Sequence, residues 1–200
     1  MTLADSTLQQ LIDELGARTP APGGGAAASI TAAVGAALGA MVINWSLGRT
    51  SLERHEEENR SHLDALQHGA ARALELAEED AQGYEALNAL MKLPEDDAVR
   101  REQWSDAVDG AMVPPIETLE LCLSMAGSLS GLVGATNTML KSDLAAAAVL
   151  VEAAGRTAAW NIHANLSLVE EAQATELATR VSGHLGELRT VTAQVEQSCR

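Results

Sequence analysis

Four groups of residues in this sequence have types and spacings that could do chemistry. The first is Thr19-Pro-Ala-Pro-Gly-Gly-Gly25, running into an alanine-rich segment that reads as a helix. Amide N–H groups at a helix start have no partner inside the helix, and glycines let a ligand reach them. Pro22, Gly23, Gly24 and Gly25 therefore suit a carboxylate, a phosphate or a polarised carbonyl oxygen. This is no Walker loop, because no Gly-Lys-Ser/Thr follows, and no Rossmann fingerprint, because no strand precedes it. The same glycines would also serve as a helix stop and a close crossing of chains.

The second group is Asp80, Tyr84 and Asn88, four residues apart and so on one face of a long helix, together with Ala77, Ala81 and Met91. That face is expected to point inward. Buried polar groups need partners, so these residues either bond one another across a bundle or line a pocket.

The third is Asn137-Thr-Met-Leu-Lys-Ser-Asp143, where Ser142 or Asp143 is expected to cap the helix that follows. Asp143, Asn161 and Asn165 lie on one side of that helix, since eighteen residues make five turns. Eighteen residues also span about 27 Å, so Asp143 and Asn161 of one chain cannot touch the same small group of atoms. They would serve opposite ends of a long ligand, or different sites at a two-fold interface.

The fourth comprises Lys92 and His163. Lys92, beside Pro94, reads as a solvated cation at a helix C-terminus or as a catalytic ammonium. His163, between Asn161 and Asn165, could shuttle protons near neutral pH or be a satisfied interior histidine. His55, His62, His68 and His184 are not spaced with carboxylates as metal ligands, and no metal is assigned. No Ser/His/Asp or Cys/His nucleophile arrangement stands out.

The elements that must position these groups are helices. The 200 residues include 37 alanines, 27 leucines and no phenylalanine, and aromatic residues make up 2%. Alanine and leucine head the helix scale while strand-filling residues are scarce, which argues against any sheet-based fold. Periodicity predicts helices over 5–16, 26–47, 52–91, 96–112, 116–133, 142–167 and 170–198, with Val113-Pro-Pro115 breaking or kinking the chain. In the second of these, Ile30, Val34, Leu38, Met41 and Trp45 form one stripe, and this helix is expected to be buried in the bundle. In the last, Leu177, Val181, Leu185, Leu188, Val191 and Val195 are expected inward.

This is the pattern of one all-α domain over 1–200, a bundle of six or seven mostly long, Ala/Gly-rich helices. Gly35 and Gly39, Gly127 and Gly131, and the run Ala145–Ala148 would let backbones approach closely. Each alanine buries little area, so a lone bundle would be short of hydrophobic stabilisation, and a homodimer is expected.

Net charge is −15, with acidic residues in excess in both halves. No basic block exists to neutralise phosphates or anionic lipid headgroups, which argues against nucleic-acid and membrane-surface binding. From Pro20 to Gly48 no residue is charged, a stretch long enough to cross a bilayer. Its start, Pro20-Ala-Pro-Gly-Gly-Gly25, cannot be regular helix, and a core helix explains it better. Cys122 and Cys199 form no CxxC or Cys/His pairing, and Met1–Ser6 shows no signal-peptide pattern. The expected location is the cytoplasm.

Taken together, these segments resemble the cyclodeaminase/cyclohydrolase family of folate one-carbon enzymes. The resemblance covers almost the whole chain. It rests on Thr19-Pro-Ala-Pro-Gly-Gly-Gly25 with its Ala/Gly helix, Gly48-Arg49, Leu76-Ala-Glu-Glu-Asp80 with Tyr84, and Lys92-Leu-Pro94. It continues through Val113-Pro114, Asn137 with Ser142-Asp143, and Asn161 with Asn165-Leu166. The resemblance implies a dimeric all-α bundle. Its chemistry would be ring closure or opening at the N5/N10 bridge of tetrahydrofolate, with the reduced folate as substrate and no other cofactor. A cyclohydrolase adds water to the 5,10-methenyl carbon and yields the 10-formyl compound, and a cyclodeaminase closes the 5-formimino compound and expels ammonia.

By resemblance, Asp143 is the first choice for the acid/base group, with Asp80 or Lys92 second. Asn137, Ser142, Asn161 and Asn165 would hold the pterin or bridge oxygen, with Tyr84 and His163 beside them. The amides of Gly23 to Gly25 would take an oxygen, and Arg49 the glutamate carboxylate.

The sequence departs from the family pattern at several places. Thr50-Ser51-Leu52 follows Gly48-Arg49 in place of a further basic residue and a tyrosine, and the second Asn of the usual Asn-Pro-Asn-Ala-Val loop is Met139. Ala145 replaces a glycine and His163 an arginine. Two other readings therefore stand beside the folate enzyme: a relative doing imine or amidine ring chemistry on another substrate, and a non-catalytic helical interaction protein.

Overall fold

Helix ends in this chain follow local hydrogen-bond chemistry. In the computed structural model, which describes residues 2–200, six α-helices and no strand occur among the described residues. They are α1 (Leu8–Leu15), α2 (Gly24–Asn44), α3 (Glu56–Met91), α4 (Ala98–Gly131), α5 (Lys141–Asn165) and α6 (Glu171–Ser198). Thr7 and Gln10 form a reciprocal capping box at the start of α1. The Asp97 carboxylate accepts from the Val99 and Arg100 amides at 2.8 and 3.2 Å to begin α4. The expected cap by Ser142 or Asp143 is not what forms. Asn137 Oδ1 accepts the Met139 N–H at 3.1 Å and opens a 3-10 turn over Thr138–Leu140, which leads directly into α5.

Of the break or kink expected at 113–115, the break does not occur, and α4 runs through Pro114 and Pro115. Proline removes an N–H and so frees the carbonyl four residues back, here those of Gly110 and Ala111. The Ala111 carbonyl finds a tertiary donor, and the Gly110 carbonyl faces the backbone of α3. The Asn165 amide donates to the Ala111 oxygen at 3.1 Å, and Gly83 of α3 lies so close to the Gly110 carbonyl that a side chain there would overlap it. Thr118 Oγ1 donates to the Pro114 oxygen at 2.8 Å and adds a bond on the far side.

Four helices, α2 to α5, form an up-down-up-down bundle whose registers can be read from close approaches. Gly25 meets Asp80 and Gly39 meets Leu66 between α2 and α3; Gly83 meets Gly110 and Gly131 meets His62 between α3 and α4. Gly155 meets Cys122 between α5 and α4, and Gly35 meets Val151 between α2 and α5, which closes the ring. Helix α6 lies against α4 and α5, with Leu177, Val181, Leu188 and Val195 buried as expected.

The core side of α2 consists of small residues: Ala28, Ala32, Gly35, Ala36, Gly39 and Ala40 are buried. The helix packs into the bundle as expected, but its stripe of large residues is the outer one. Val34 is 54% exposed and Trp45 63%, with Ile30, Leu38 and Met41 half-buried. Helix α2 is long and apolar enough to cross a membrane, with mean hydropathy 2.0, yet 61% of that window is buried within the bundle. On α3 the inward line also shifts: Leu66, Ala73, Ala77, Leu87 and Leu90 are buried, while Tyr84 and Met91 are exposed.

Because the Gly83–Gly110 contact is between backbones, neither side can move away as a flexible side chain would. Gly83→Val is expected to lower stability by about 1–3 kcal/mol through overpacking. Gly183→Ala, in open space on α6, is expected to raise it by about 0.5–1 kcal/mol through helix propensity. Denaturant midpoints of the two variants check both signs.

Candidate functional site

The amino terminus of α2 forms one wall of a cavity of about 320 Å³. Its lining is Pro20, Gly23, Gly24 and Gly25 from the loop and α2, Asp80 and Tyr84 from α3, Ala111 from α4, and Asn161, Ala164 and Asn165 from α5. Of the first amides of α2, that of Ala27 bonds to the Gly23 carbonyl at 3.0 Å and that of Ala26 donates to the Asp80 carboxylate. The amides of Gly24 and Gly25 belong to the same wall and have no acceptor within a regular helix.

Asp80 sits directly over Gly25, where any side chain would overlap its carboxylate. Burial pushes the Asp80 carboxyl up to about 6, and the Ala26 N–H pulls in the opposite direction. Desolvation wins because no cationic side chain is in the lining. Asn161 lies against Gly24, where a side chain would begin 3.3 Å from its Oδ1, and its amide donates to the Thr157 oxygen at 2.9 Å. That leaves Asn161 Oδ1 as an acceptor at the cavity wall. Tyr84, 42% exposed, stands at the rim.

The structure thus brings together Gly23, Gly24, Gly25, Asp80, Tyr84, Asn161 and Asn165. Pro22 lines a neighbouring cavity with Glu14 and Glu78. His163 lies on another side of α5, its Nδ1 2.6 Å from the Ala159 carbonyl, and Lys92 is exposed just past the end of α3. Arg49, Asn137, Ser142 and Asp143 gather at the opposite end of α2 and α5. There the Asn137 amide donates to Ser46 Oγ at 2.8 Å, and Arg49 Nε donates to the Trp45 carbonyl at 2.8 Å. Asn88 does not reach the cavity lining. Sequence reasoning missed Ala111, although Pro115 four residues later signals a freed carbonyl there.

In this all-helical bundle a glycine-lined helix start thus faces a desolvated carboxyl and two carboxamides across one cavity. The formiminotransferase-cyclodeaminase family matches residues 7–182, and the chain belongs to it. It is 30% identical to formimidoyltransferase-cyclodeaminase of Sus scrofa over 97% of its length, but spans only 37% of that protein. It is 26% identical to methenyltetrahydrofolate cyclohydrolase of Methylorubrum extorquens, covering 98% of this chain and 97% of that one. The crystal structure of formiminotetrahydrofolate cyclodeaminase from Thermotoga maritima superposes with a TM-score of 0.87 at 22% identity, covering 98% of this chain and 96% of that chain, and so shares the fold.

The raised Asp80 value has a consequence for stability. A carboxyl with a folded value of about 6 against an ordinary 3.8 binds its proton more tightly when folded. Its contribution is fully present below pH 3.8 and lost as pH rises through 6. At pH 8 the ionised carboxylate is therefore a burden, and Asp80→Asn should be more stable than wild type by about 2 kcal/mol. That gap should close toward pH 4, as read from denaturant midpoints at the two pH values.

Proposed function

We propose that the chain is a folate one-carbon enzyme that hydrolyses 5,10-methenyltetrahydrofolate to 10-formyltetrahydrofolate. The observation that carries the reading is the isolated, half-buried Asp80 carboxyl, the one carboxyl in the lining, unopposed by any cationic side chain there. A methenyl bridge is a cation, so it suits a desolvated carboxylate. Above pH 6 the carboxylate takes a proton from water as the water oxygen bonds to the methenyl carbon. The C–N5 bond then breaks as the carboxyl returns that proton to N5, and the carbinol proton leaves to solvent, giving the formyl group on N10. The carbon keeps its oxidation level, so the step calls for no redox partner. The Gly24 and Gly25 amides are suited to the developing oxygen, and Asn161 and Asn165 to the pterin edge.

The similarity to the Methylorubrum extorquens methenyltetrahydrofolate cyclohydrolase, 26% identical along 98% of this chain, supports hydrolysis. Cyclisation of 5-formiminotetrahydrofolate with loss of ammonia is the second reading, favoured by the family match, and would use the same carboxyl. The test is loss of the near-ultraviolet methenyl band with purified protein, together with ammonia release from the formimino compound. Asp80→Asn is expected to lower kcat/KM by about 10²–10⁴-fold and to lack the inflection near pH 6 expected of wild type. Wild-type protein inert toward both folates would refute the reading.

The reading includes a homodimer. Exposed apolar side chains on α2 (Val34, Trp45) and α5 (Val149) support a second copy on those outer faces. A two-fold axis crossing the middle of both helices would bring Arg49, Asn137 and Asp143 of one copy beside the Asp80 cavity of its partner. Each full site would then draw on both chains. Mixing inactive Asp80→Asn and Asp143→Asn proteins, with subunit exchange, should restore about one quarter of wild-type activity. Either variant alone, or a monomer by sedimentation, gives the control. No restoration in exchanged dimers would refute a shared site.

A further inference from the structure

A second cavity, of about 250 Å³, opens between α5 and α6 and is lined by Arg156, Ala159, Trp160, His163, Leu185 and Arg189. The mechanism above uses none of these residues. In a chain with 28 acidic and 13 basic residues, a lining with two arginines and no carboxylate is a local reversal of charge. Arg156 Nη1 lies 3.7 Å from Glu152 Oε1, an ion pair beyond hydrogen-bond distance that takes up none of its five donors. Trp160 is 77% exposed, a large aromatic face left in solvent. His163 Nδ1 faces the Ala159 carbonyl at 2.6 Å. A carbonyl only accepts, so that nitrogen holds the proton and Nε2 remains for another partner.

The two cavities share one edge. Ala164 is about 40° around α5 from Trp160 and Asn161 about 100°, so the wall between the cavities is the Trp160–Ala164 ridge. At that ridge the residue on the catalytic side has only a methyl group. A ligand passing from Asp80 over this ridge meets no side chain larger than a methyl group on that side.

We infer that this cavity binds an aryl group carrying carboxylates: the aminobenzoyl-glutamate part of the substrate, its ring against Trp160 and its two carboxylates on Arg156 and Arg189. Planar guanidinium forks match carboxylates in bidentate pairs, and exposed tryptophan offers a stacking face. Naming this tail rests on the folate reading above; the preference for an aryl dianion rests on the cavity alone.

The test uses p-aminobenzoylglutamate, which lacks the pterin and cannot be turned over. Titrated into the full chain, it should quench tryptophan fluorescence saturably. The quench should be lost in Trp160→Leu, which retains Trp45 and Trp104. Arg156→Gln and Arg189→Gln should each weaken binding roughly tenfold. With methenyltetrahydrofolate the double variant should raise KM with kcat unchanged. Equal binding by wild type and the double variant, with folate turnover intact, would overturn this site and leave the folate reading standing. Arginine-dependent binding without turnover of any reduced folate would support the site and overturn the folate reading. A changed oligomeric state in the double variant would make the cavity a subunit contact and overturn the inference.

Discussion

The Asp80 carboxylate reaches the amino terminus of α2 only because residue 25 has no side chain. Everything chemical at this end of the bundle follows from that contact. An anion at a helix start gains from the amides and from the positive end of the helix dipole, an effect of about 0.3–2 kcal/mol. Here the carboxyl also loses water, and with no cation in the cavity the loss outweighs the gain, so its proton affinity rises. A lysine or arginine in the lining would reverse the balance and leave an ordinary ion pair. The acid/base character of the site is thus set as much by a missing cation and a missing Cβ as by the carboxyl itself.

The proline pair in α4 brings the remaining walls together. Two carbonyls lose their helical donors on successive residues, Gly110 and Ala111, both facing neighbouring helices. The first allows α3 to approach through Gly83, one residue from the cavity's Tyr84. The second takes the Asn165 amide and so fixes the C-terminal turn of α5. A local defect in one helix therefore orients the other two. An α4 without the two prolines would present satisfied carbonyls and leave the Asn165 amide without this acceptor.

Much of this was legible in the sequence, because helix ends and glycine spacings are local signals. The run Thr19–Gly25, the four-residue spacing of Asp80 and Tyr84, and that of Asn161 and Asn165 all reported correctly on which residues share a face. What failed was inference about where each face points. In an Ala/Gly-rich helix such as α2, periodicity locates the large residues but does not say that the core lies beneath them. Helices pack closest through their small faces, so Val34 and Trp45 are turned outward. The expected break at 113–115 failed for a related reason. A proline's cost depends on whether the freed carbonyl finds a partner, and that partner, Asn165, lies fifty residues on from Pro115. Motif order likewise could not tell that Asp143 and Asn161 belong to opposite ends of the bundle, although helix rise alone showed they could not act on one atom.

Charge distribution links the two cavities. A methenyl-folate is cationic at its bridge and dianionic at its glutamate, while this protein carries −15. The overall field attracts one end of such a substrate and repels the other, so a site without a local cation would bind the bridge and leave the tail in solvent. The single carboxylate of the Asp80 cavity and the arginine pair between α5 and α6 complement the order of charges in such a folate, cation first and anions beyond the aryl ring. The ridge between them is one helix face wide. Placement of the bridge carbon at Asp80 would then be fixed from both ends: by amides and carboxamides around the pterin, and by two guanidinium groups holding the tail.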